Sequence, residues 1–126
     1  MIFLTVDEII TIHSKLIKKT GGSDGLRDRG LLESAVYSAY NAFEEVEQYP
    51  STEEKAARFA FAIVSNHAFI DGYKRIGMLV MLMALKLNGI NIFYTQQELI
   101  DLGLSVASGM SQYEEILNWI VSHKNV

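Results

Sequence analysis

Apolar residues recur along the chain at the spacing of amphipathic helices, and most of these segments follow a helix-start signature. The longest apolar run, Ile76–Leu85, contains no charged residue and predicts a buried central helix. Asn88-Gly89 is a typical stop for that helix. Other helix starts are marked by four Ser/Thr-x-x-Glu capping boxes, namely Thr5/Glu8, Ser51/Glu54, Thr95/Glu98 and Ser111/Glu114.

A further helix is predicted after Asp28, which is a favourable N-cap residue. Its apolar stripe consists of Leu32, Ala35, Val36, Ala39, Tyr40 and Phe43. The polar segment Glu44-Glu45-Val46-Glu47 is then most simply the solvated end of that helix. The sum of these segments predicts an all-α bundle of about six helices, which forms a single domain over residues 1–126.

The segment that leads into the central helix carries the polar side chains of interest. In the Ser51 helix, the stripe that contains Ala60 and Ile63 continues to His67, which places His67 on the buried side near the helix end. Asp71 is a good N-cap for the central helix. After that helix, Ile90–Phe93 is predicted to be extended.

The composition is that of a soluble globular protein and narrows the function classes. Hydrophobic residues make up 49% of the 126 residues, and the net charge of −4 argues against general nucleic-acid binding, which needs a basic face. The absence of cysteine excludes disulfides and thiolate metal sites. The first ten residues lack signal-peptide features, and Ile76–Leu85 is about half of the ~20 residues that a membrane span requires. We therefore expect a cytoplasmic protein without a membrane segment.

Four residues within nine positions suggest chemistry at the entrance of the central helix. Lys74 and Arg75 fall in its first turn, where the helix dipole disfavours each cation by ~0.3–1 kcal/mol. An anion bound among them would compensate, and the free N–H groups of a helix start already favour one. His67 can act as a general base, and Asp71 can hold Mg²⁺. This set is what phosphoryl transfer requires.

Structural interpretations of the same residues stay open at this point. His67 would then be a hydrogen-bonded core histidine, Asp71 only a helix cap, and Lys74 and Arg75 solvated cations. A metal pair formed by His67 and Asp71 is a third interpretation, although a zinc site needs three or four ligands. Phe69 is expected to be a buried anchor that fixes the turn.

Two further features have no predicted catalytic role. His13 lies on the apolar stripe of the first helix, where a histidine is more often a packing residue than a catalytic one. The Gly21–Arg27 loop contains three glycines but lacks the Gly-Lys-Ser/Thr ending of a P-loop. A mobile flap is favoured for this loop over a plain connector.

The segment HAFIDGYKRIG, from His67 to Gly77, resembles the H-x-F-x-D-G/A-N-K-R signature of Doc (death-on-curing) toxins, a branch of the Fic/Doc superfamily. GGSDGLRDRGLLESAV from Gly21, LKLNGI at the end of the central helix, and the C-terminal pair of helices are similar to the same branch. The resemblance therefore covers nearly the whole chain. It implies a compact helical bundle in which the signature spans a helix end, a turn and the next helix start.

The resemblance also implies an activity, cofactors and partners. Doc toxins transfer the γ-phosphate of ATP to a threonine of translation elongation factor Tu and so block translation, with Mg²⁺ as the metal. Most Fic proteins transfer AMP instead and have Gly where this chain has Lys74, whose side chain would occupy the space near the phosphates. Lys74 therefore favours the Doc interpretation. The implied partner is a Phd-type antitoxin whose helical C-terminal segment lies in an apolar groove.

Residue roles follow from the same resemblance. His67 corresponds to the general base, Asp71 to the Mg²⁺-associated acid and Gly72 to the small residue of the anion-binding turn. Lys74 and Arg75 correspond to the pair that contacts the phosphates. The Gly21–Arg27 loop corresponds to the region near the substrate-docking flap.

Tyr73 stands where the family signature has Asn, and it would line the ATP phosphate site together with Gly72, Lys74 and Arg75. Asn is small and offers both a donor and an acceptor, whereas Tyr offers a ring with one distant hydroxyl. The ring would block the phosphate site or displace the turn, and a shift of about 1 Å can cost ~10²-fold in rate. We therefore expect an impaired or inactive enzyme, which would leave a non-catalytic antitoxin-binding module. The alternative is a ring that turns out into solvent.

Overall fold

The computed structural model describes residues 3–124, which form six helices and one short hairpin and so confirm the all-α prediction. The helices are α1 Val6–Thr20, α2 Arg29–Ser38, α3 Thr52–Asn66, α4 Tyr73–Leu87, α5 Gln96–Ala107 and α6 Tyr113–His123. The hairpin pairs β1 (Ala42–Phe43) with β2 (Val46–Glu47) in antiparallel register.

Four of the six predicted helix-start signals, those at Thr5, Asp28, Ser51 and Thr95, are confirmed. The capping boxes at Thr5, Ser51 and Thr95 are complete, with the hydroxyl and the glutamate of each box accepting the other's backbone N–H. The box predicted at Ser111 is wrong, because α6 begins at Tyr113 and its N-cap residue is Gln112. The Ser111 hydroxyl is instead hydrogen-bonded to the hydroxyl of Ser105 on α5.

The helix predicted after Asp28 is shorter than its apolar stripe suggested. The Asp28 carboxylate caps α2 by accepting the N–H of Leu31 at 3.1 Å, but α2 ends at Ser38, so the predicted continuation to Phe43 is wrong. Glu44 and Glu45 have positive φ angles of 50° and 68° and form the hairpin turn. They remain exposed, as expected, but they do not end a helix.

The hairpin is held in place by a buried lysine, which explains why the helical pattern fails there. Lys55 on α3 is only 4% exposed, and its ammonium group donates to the Glu47 carboxylate at 3.0 Å and to the carbonyl of Tyr49. A buried ammonium group needs such partners. These contacts hold the end of β2 against α3, where the apolar spacing alone predicted the end of a longer α2.

The centre of the bundle is the pair α3 and α4, which pack closely and carry fully buried side chains such as Phe59, Ile63 and Ile76. Gly77 permits this approach, because a Cβ there would lie 2.5 Å from Cγ2 of Val64. Asn88 follows the last residue of α4, as predicted. The end of α3 and the start of α4 therefore meet across one short turn.

The predicted extended segment after α4 is confirmed only in part. Ile92 forms an isolated antiparallel bridge with Lys124, and the N–H of Phe93 donates to the carbonyl of His123 at 2.8 Å. Among the helices of residues 3–124, none has both the length and the apolar character needed to cross a membrane.

Candidate active site

His67 lies directly after the last residue of α3, in a left-handed conformation with φ 51° and ψ 44°. Its side chain is exposed, so the predicted buried position is wrong. The reason is that α3 ends at Asn66, and helical periodicity no longer gives the direction of the next side chain. The guanidinium group of Arg27 donates to the main-chain carbonyls of His67 at 2.7 Å and of Asn66 at 3.2 Å. Arg27 thereby satisfies carbonyl groups at the C-terminus of α3.

The turn after His67 is anchored in the core and paired with the preceding loop. Phe69 is 2% exposed, as predicted, and stacks on the ring of His13 with centroids 3.9 Å apart. The N–H of Ile70 donates to the carbonyl of Gly25 at 3.1 Å, and the N–H of Arg27 donates to the carbonyl of Ala68 at 2.8 Å. The loop and the turn therefore form one hydrogen-bonded unit.

Asp71 presents a half-exposed carboxylate beside this unit. Its Oδ1 accepts the N–H of Gly72 at 2.8 Å, and its Oδ2 accepts the N–H of Ser23 at 3.2 Å. The hydrogen bonds from Ser23 and Gly72, in that order, hold the pKa of Asp71 below its ordinary value. The carboxylate is therefore ionised at neutral pH.

The predicted cap of α4 by Asp71 is wrong. The N-cap residue is Gly72, in a left-handed conformation with φ 72°, and no side chain of the described residues caps the helix start. The Asp71 carboxylate accepts the N–H of Gly72 itself, ahead of the first turn, rather than an N–H within it. An uncapped helix N-terminus favours an anion.

The two cations occupy the first turn of α4, as predicted, but their surroundings differ. Arg75 donates to the hydroxyl of Thr20 and to the carbonyl of Gly21, the latter at 2.8 Å, and its Nη2 lies 3.9 Å from Oδ1 of Asp71. Lys74 has no carboxylate within ion-pair distance among the described residues. Its Nζ lies 5.8 Å from the ring centroid of Tyr73. Lys74 is therefore available to an external anion.

Tyr73 lies over the site and not in open solvent. Its ring is partly buried against the core and contacts the ring of His67, with centroids 4.4 Å apart and an angle of 53° between the planes. The alternative of a ring turned out into solvent is therefore wrong for this structure. The Tyr73 ring therefore covers one side of the His67 imidazole, the predicted general base.

Sequence reasoning missed the part that His13 and the loop play in this site. His13 is 1% exposed, and its Nε2 lies 2.6 Å from the main-chain carbonyl oxygen of Asp71. The Gly21–Arg27 loop, predicted to be a mobile flap, is hydrogen-bonded to the turn and to α4 through Gly21, Ser23, Gly25 and Arg27. A flap motion would have to break these bonds. The sequence gives no signal for bonds between residues 40 and 48 positions apart.

The ligands available in the site suit Mg²⁺ better than zinc. Within residues 3–124, no group of three or more His, Asp or Glu side chains could hold a metal ion, which argues against a zinc centre. Mg²⁺ requires fewer protein ligands, because one or two carboxylates, waters and substrate phosphates complete its coordination. The ionised carboxylate of Asp71 fits this requirement.

An apolar groove of about 360 Å³ extends from the cations between α1, α4 and α5. Thr20, Lys74 and Arg75 line it where α4 begins. Its apolar lining consists of Leu16, Met78, Leu79, Leu82, Leu99, Ile100, Gly103 and Leu104. An amphipathic helix is the kind of partner that such a groove accepts.

Comparisons with known proteins identify relatives of this chain. The model of the Fic/DOC family matches residues 3–85. The chain is 31% identical over 108 residues to "Protein kinase doc" of Escherichia phage P1, which covers 84% of this chain and 82% of that protein. It is 35% identical over 90 residues to "Toxin Doc" of Mycolicibacterium smegmatis, which covers 71% of this chain and 67% of that protein.

Proposed function

We propose that this chain, which belongs to the Fic/DOC family, is a Doc-type toxin that transfers the γ-phosphate of ATP to a protein hydroxyl group. The observation that carries the proposal is the turn between α3 and α4, where three groups meet at the start of α4. They are an exposed imidazole, an ionised carboxylate and a cation that, within residues 3–124, has no carboxylate partner. The names of two relatives, a toxin and a protein kinase, support the same conclusion.

His67 is the proposed general base. Its imidazole is exposed and so accessible to a substrate, while Arg27 holds its main-chain carbonyl. The imidazole takes the proton of the target hydroxyl, whose oxygen attacks the γ-phosphorus. The bond from phosphorus to the bridging oxygen breaks, and ADP leaves. Proton removal by a positioned base contributes typically 10²–10⁴-fold to such a reaction.

The charges around the turn are proposed to hold the phosphates. Asp71 would hold Mg²⁺, which supplies neutralisation of the charge on the phosphate oxygens. Lys74 and the first turn of α4 bind phosphate oxygens. Arg75 already donates to Thr20 and Gly21, but a guanidinium group has five N–H donors, so it can serve the loop and a phosphate together.

The proposed target is a threonine of elongation factor Tu, as the family resemblance implies. The chain would then act on translation in the cytoplasm. Transfer of AMP is disfavoured by Lys74, because a side chain there reduces the space near the phosphates. A Phd-type antitoxin is the proposed regulator, with its helical C-terminal segment in the groove between α1, α4 and α5. The contact of Tyr73 with His67 favours one competing function, a module that binds antitoxin but does not catalyse.

Labelled ATP separates these functions. The chain is incubated with Mg²⁺, elongation factor Tu and ATP labelled at either the γ- or the α-phosphate. We expect γ-label on the target and none from the α-position, and loss of the label in His67→Ala but not in His123→Ala. Label from the α-phosphate would establish AMP transfer instead, and label from neither position would favour the non-catalytic module.

A further inference from the structure

His13 is a buried titratable residue to which the proposed chemistry assigns no role. Its ring is 1% exposed and stacks on the ring of Phe69. Its Nδ1 lies 3.7 Å from Oδ1 of Asp24, which also accepts the hydroxyl of Ser14 at 3.0 Å. Its Nε2 lies 2.6 Å from the carbonyl oxygen of Asp71. Both ring nitrogens are thus directed at named polar groups.

The contact with Asp71 fixes the hydrogen position on the ring. A carbonyl oxygen only accepts hydrogen bonds, so Nε2 of His13 must carry the hydrogen and donate it. The ring cannot shift easily, because it is enclosed and stacked on Phe69. A Cβ at Gly72 would lie 3.3 Å from the same nitrogen, which shows how closely the ring approaches the turn.

Holding the Asp71 carbonyl also sets the direction of the next N–H group. The peptide bond between Asp71 and Gly72 is planar and trans, so its carbonyl and its N–H point in opposite directions. With the carbonyl held by His13, the N–H of Gly72 points away from the ring, where Oδ1 of Asp71 accepts it at 2.8 Å. The ring thus holds the same peptide group whose N–H the Asp71 carboxylate accepts.

We propose that His13 is a positioning residue, whose Nε2–H fixes the Asp71–Gly72 peptide group and thereby directs the Asp71 carboxylate toward the phosphate site. The catalytic meaning of this arrangement rests on the proposed function. The arrangement itself does not, and it can be measured without ATP or a target protein.

The first test needs no variant. Two-dimensional ¹⁵N–¹H NMR of the imidazole rings assigns the hydrogen-bearing nitrogens of His13 in the full chain at neutral pH. We expect a hydrogen on Nε2. A neutral ring with its hydrogen on Nδ1 alone would overturn the proposal, because such a ring cannot donate to the Asp71 carbonyl.

The second test compares two variants by amide hydrogen exchange. His13→Leu removes the donor, whereas His13→Gln retains an N–H donor near the position of Nε2. We expect the Gly72 amide to exchange about tenfold faster in His13→Leu, measured relative to the Ile63 amide in the core of α3, and to return close to the wild-type rate in His13→Gln. His123→Leu is the matched control, since His123 also bonds a main-chain carbonyl, that of Trp119 at 2.7 Å.

Three outcomes of the exchange experiment would also contradict the proposal. One is equal acceleration of Gly72 and Ile63 in His13→Leu, which would mean a general loss of stability. The second is a Gly72 amide that exchanges as fast in His13→Gln as in His13→Leu. The third is a His123→Leu variant that accelerates exchange of the Gly72 amide as much as His13→Leu does. If His13→Leu does not fold, the proposal is still tested by the imidazole spectrum of the wild type and by the exchange rate of the Gly72 amide in His13→Gln. A wild-type chain without transfer activity would overturn the proposed function only, since exchange requires neither ATP nor target.

Discussion

The ring of Tyr73 lies against the ring of His67, with the two centroids 4.4 Å apart. The ammonium group of Lys74 lies 5.8 Å from the centroid of the same tyrosine ring. One aromatic side chain thus contacts two groups that the proposed phosphotransfer requires. It stands where the Doc signature has the much smaller Asn.

Replacing Tyr73 by Asn is expected to raise the rate of phosphate transfer by about 10- to 100-fold, because the base and the phosphate site are then uncovered. Loss of the partly buried ring is expected to lower the free energy of unfolding by only ~1 kcal/mol. The measurement is γ-label incorporation per minute by wild type and Tyr73→Asn at equal protein concentration. Tyr37→Asn, which changes a 62% exposed tyrosine on α2, is the control and should leave the rate unchanged. Equal rates at residue 73 would remove the hypothesis of an obstructed site.

Lys74→Met is expected to reduce transfer about tenfold while leaving the free energy of unfolding within ~0.5 kcal/mol of wild type. The reason is that Lys74 has no carboxylate partner in the described part of the chain. Arg75→Met serves as the comparison. This variant should also transfer phosphate more slowly, and its free energy of unfolding should fall by ~1 kcal/mol because the hydrogen bonds to Thr20 and Gly21 are lost. Chemical denaturation measures both variants, and an equal loss of stability would contradict the assignment of Lys74 to an external anion.

The groove between α1, α4 and α5 is expected to bind an amphipathic antitoxin helix through its apolar lining. Leu104→Asp places a charge in the groove and should weaken binding of a cognate antitoxin peptide by tenfold or more, measured by isothermal titration. Val121→Asp is a matched control on α6, because the two side chains are similarly exposed, at 51% and 55%. Equal weakening by both changes would indicate that the helix binds elsewhere.

The features that were predictable from sequence depend on residues close together in the chain. Three capping boxes need only an interaction between positions i and i+3, and the apolar run Ile76–Leu85 lies in the buried helix α4 that it predicted. The placement of Lys74 and Arg75 in the first turn of α4 follows from the same local signals. The fourth capping box failed because Ser111 bonds Ser105 of another helix, a competition that no local pattern records.

The sequence placed the candidate site residues in one short segment, but it did not predict how they are arranged. His67 is exposed because α3 ends at Asn66, the residue before it. In its left-handed conformation, the His67 side chain no longer follows the buried face of the helix. The carboxylate of Asp71 accepts from Ser23, 48 positions earlier, rather than capping α4. Its carbonyl is held by His13, 58 positions earlier. Such contacts exist only once α1, the loop and the turn have come together.

Gly72→Ala is expected to destabilise the chain by ~2–4 kcal/mol. A non-glycine residue pays ~1–2 kcal/mol for the left-handed conformation that Gly72 adopts at φ 72°. The added Cβ would also lie 2.9 Å from Cδ1 of Ile17 and 3.3 Å from Nε2 of His13. Gly89→Ala isolates the first contribution, because Gly89 has a similar φ of 78° and a Cβ there would meet nothing within 4 Å. Urea denaturation should therefore show the larger loss at Gly72, and equal losses would mean that the contacts around the turn do not matter.

The ion pair between Glu98 on α5 and His123 on α6 is expected to make stability depend on pH. Nε2 of His123 lies 2.7 Å from Oε2 of Glu98. The hydrogen bond from His123, followed by those from Thr95, lowers the pKa of Glu98 from 4.5 to about 2. The same bond raises the pKa of His123 above 6.5.

The sign of each contribution follows from the direction of its shift. The Glu98 contribution is complete above pH 4.5 and is lost as the pH falls toward about 2. The His123 contribution is complete below pH 6.5 and is lost as the pH rises through its raised pKa. The pair therefore stabilises most between about pH 4.5 and 6.5, and Glu98→Gln should lower the melting temperature most in that window. Glu8→Gln is the control, because Glu8 closes the same kind of capping box in α1 without a histidine partner. A Glu98→Gln effect that is constant from pH 2 to 9 would show that the pair does not contribute.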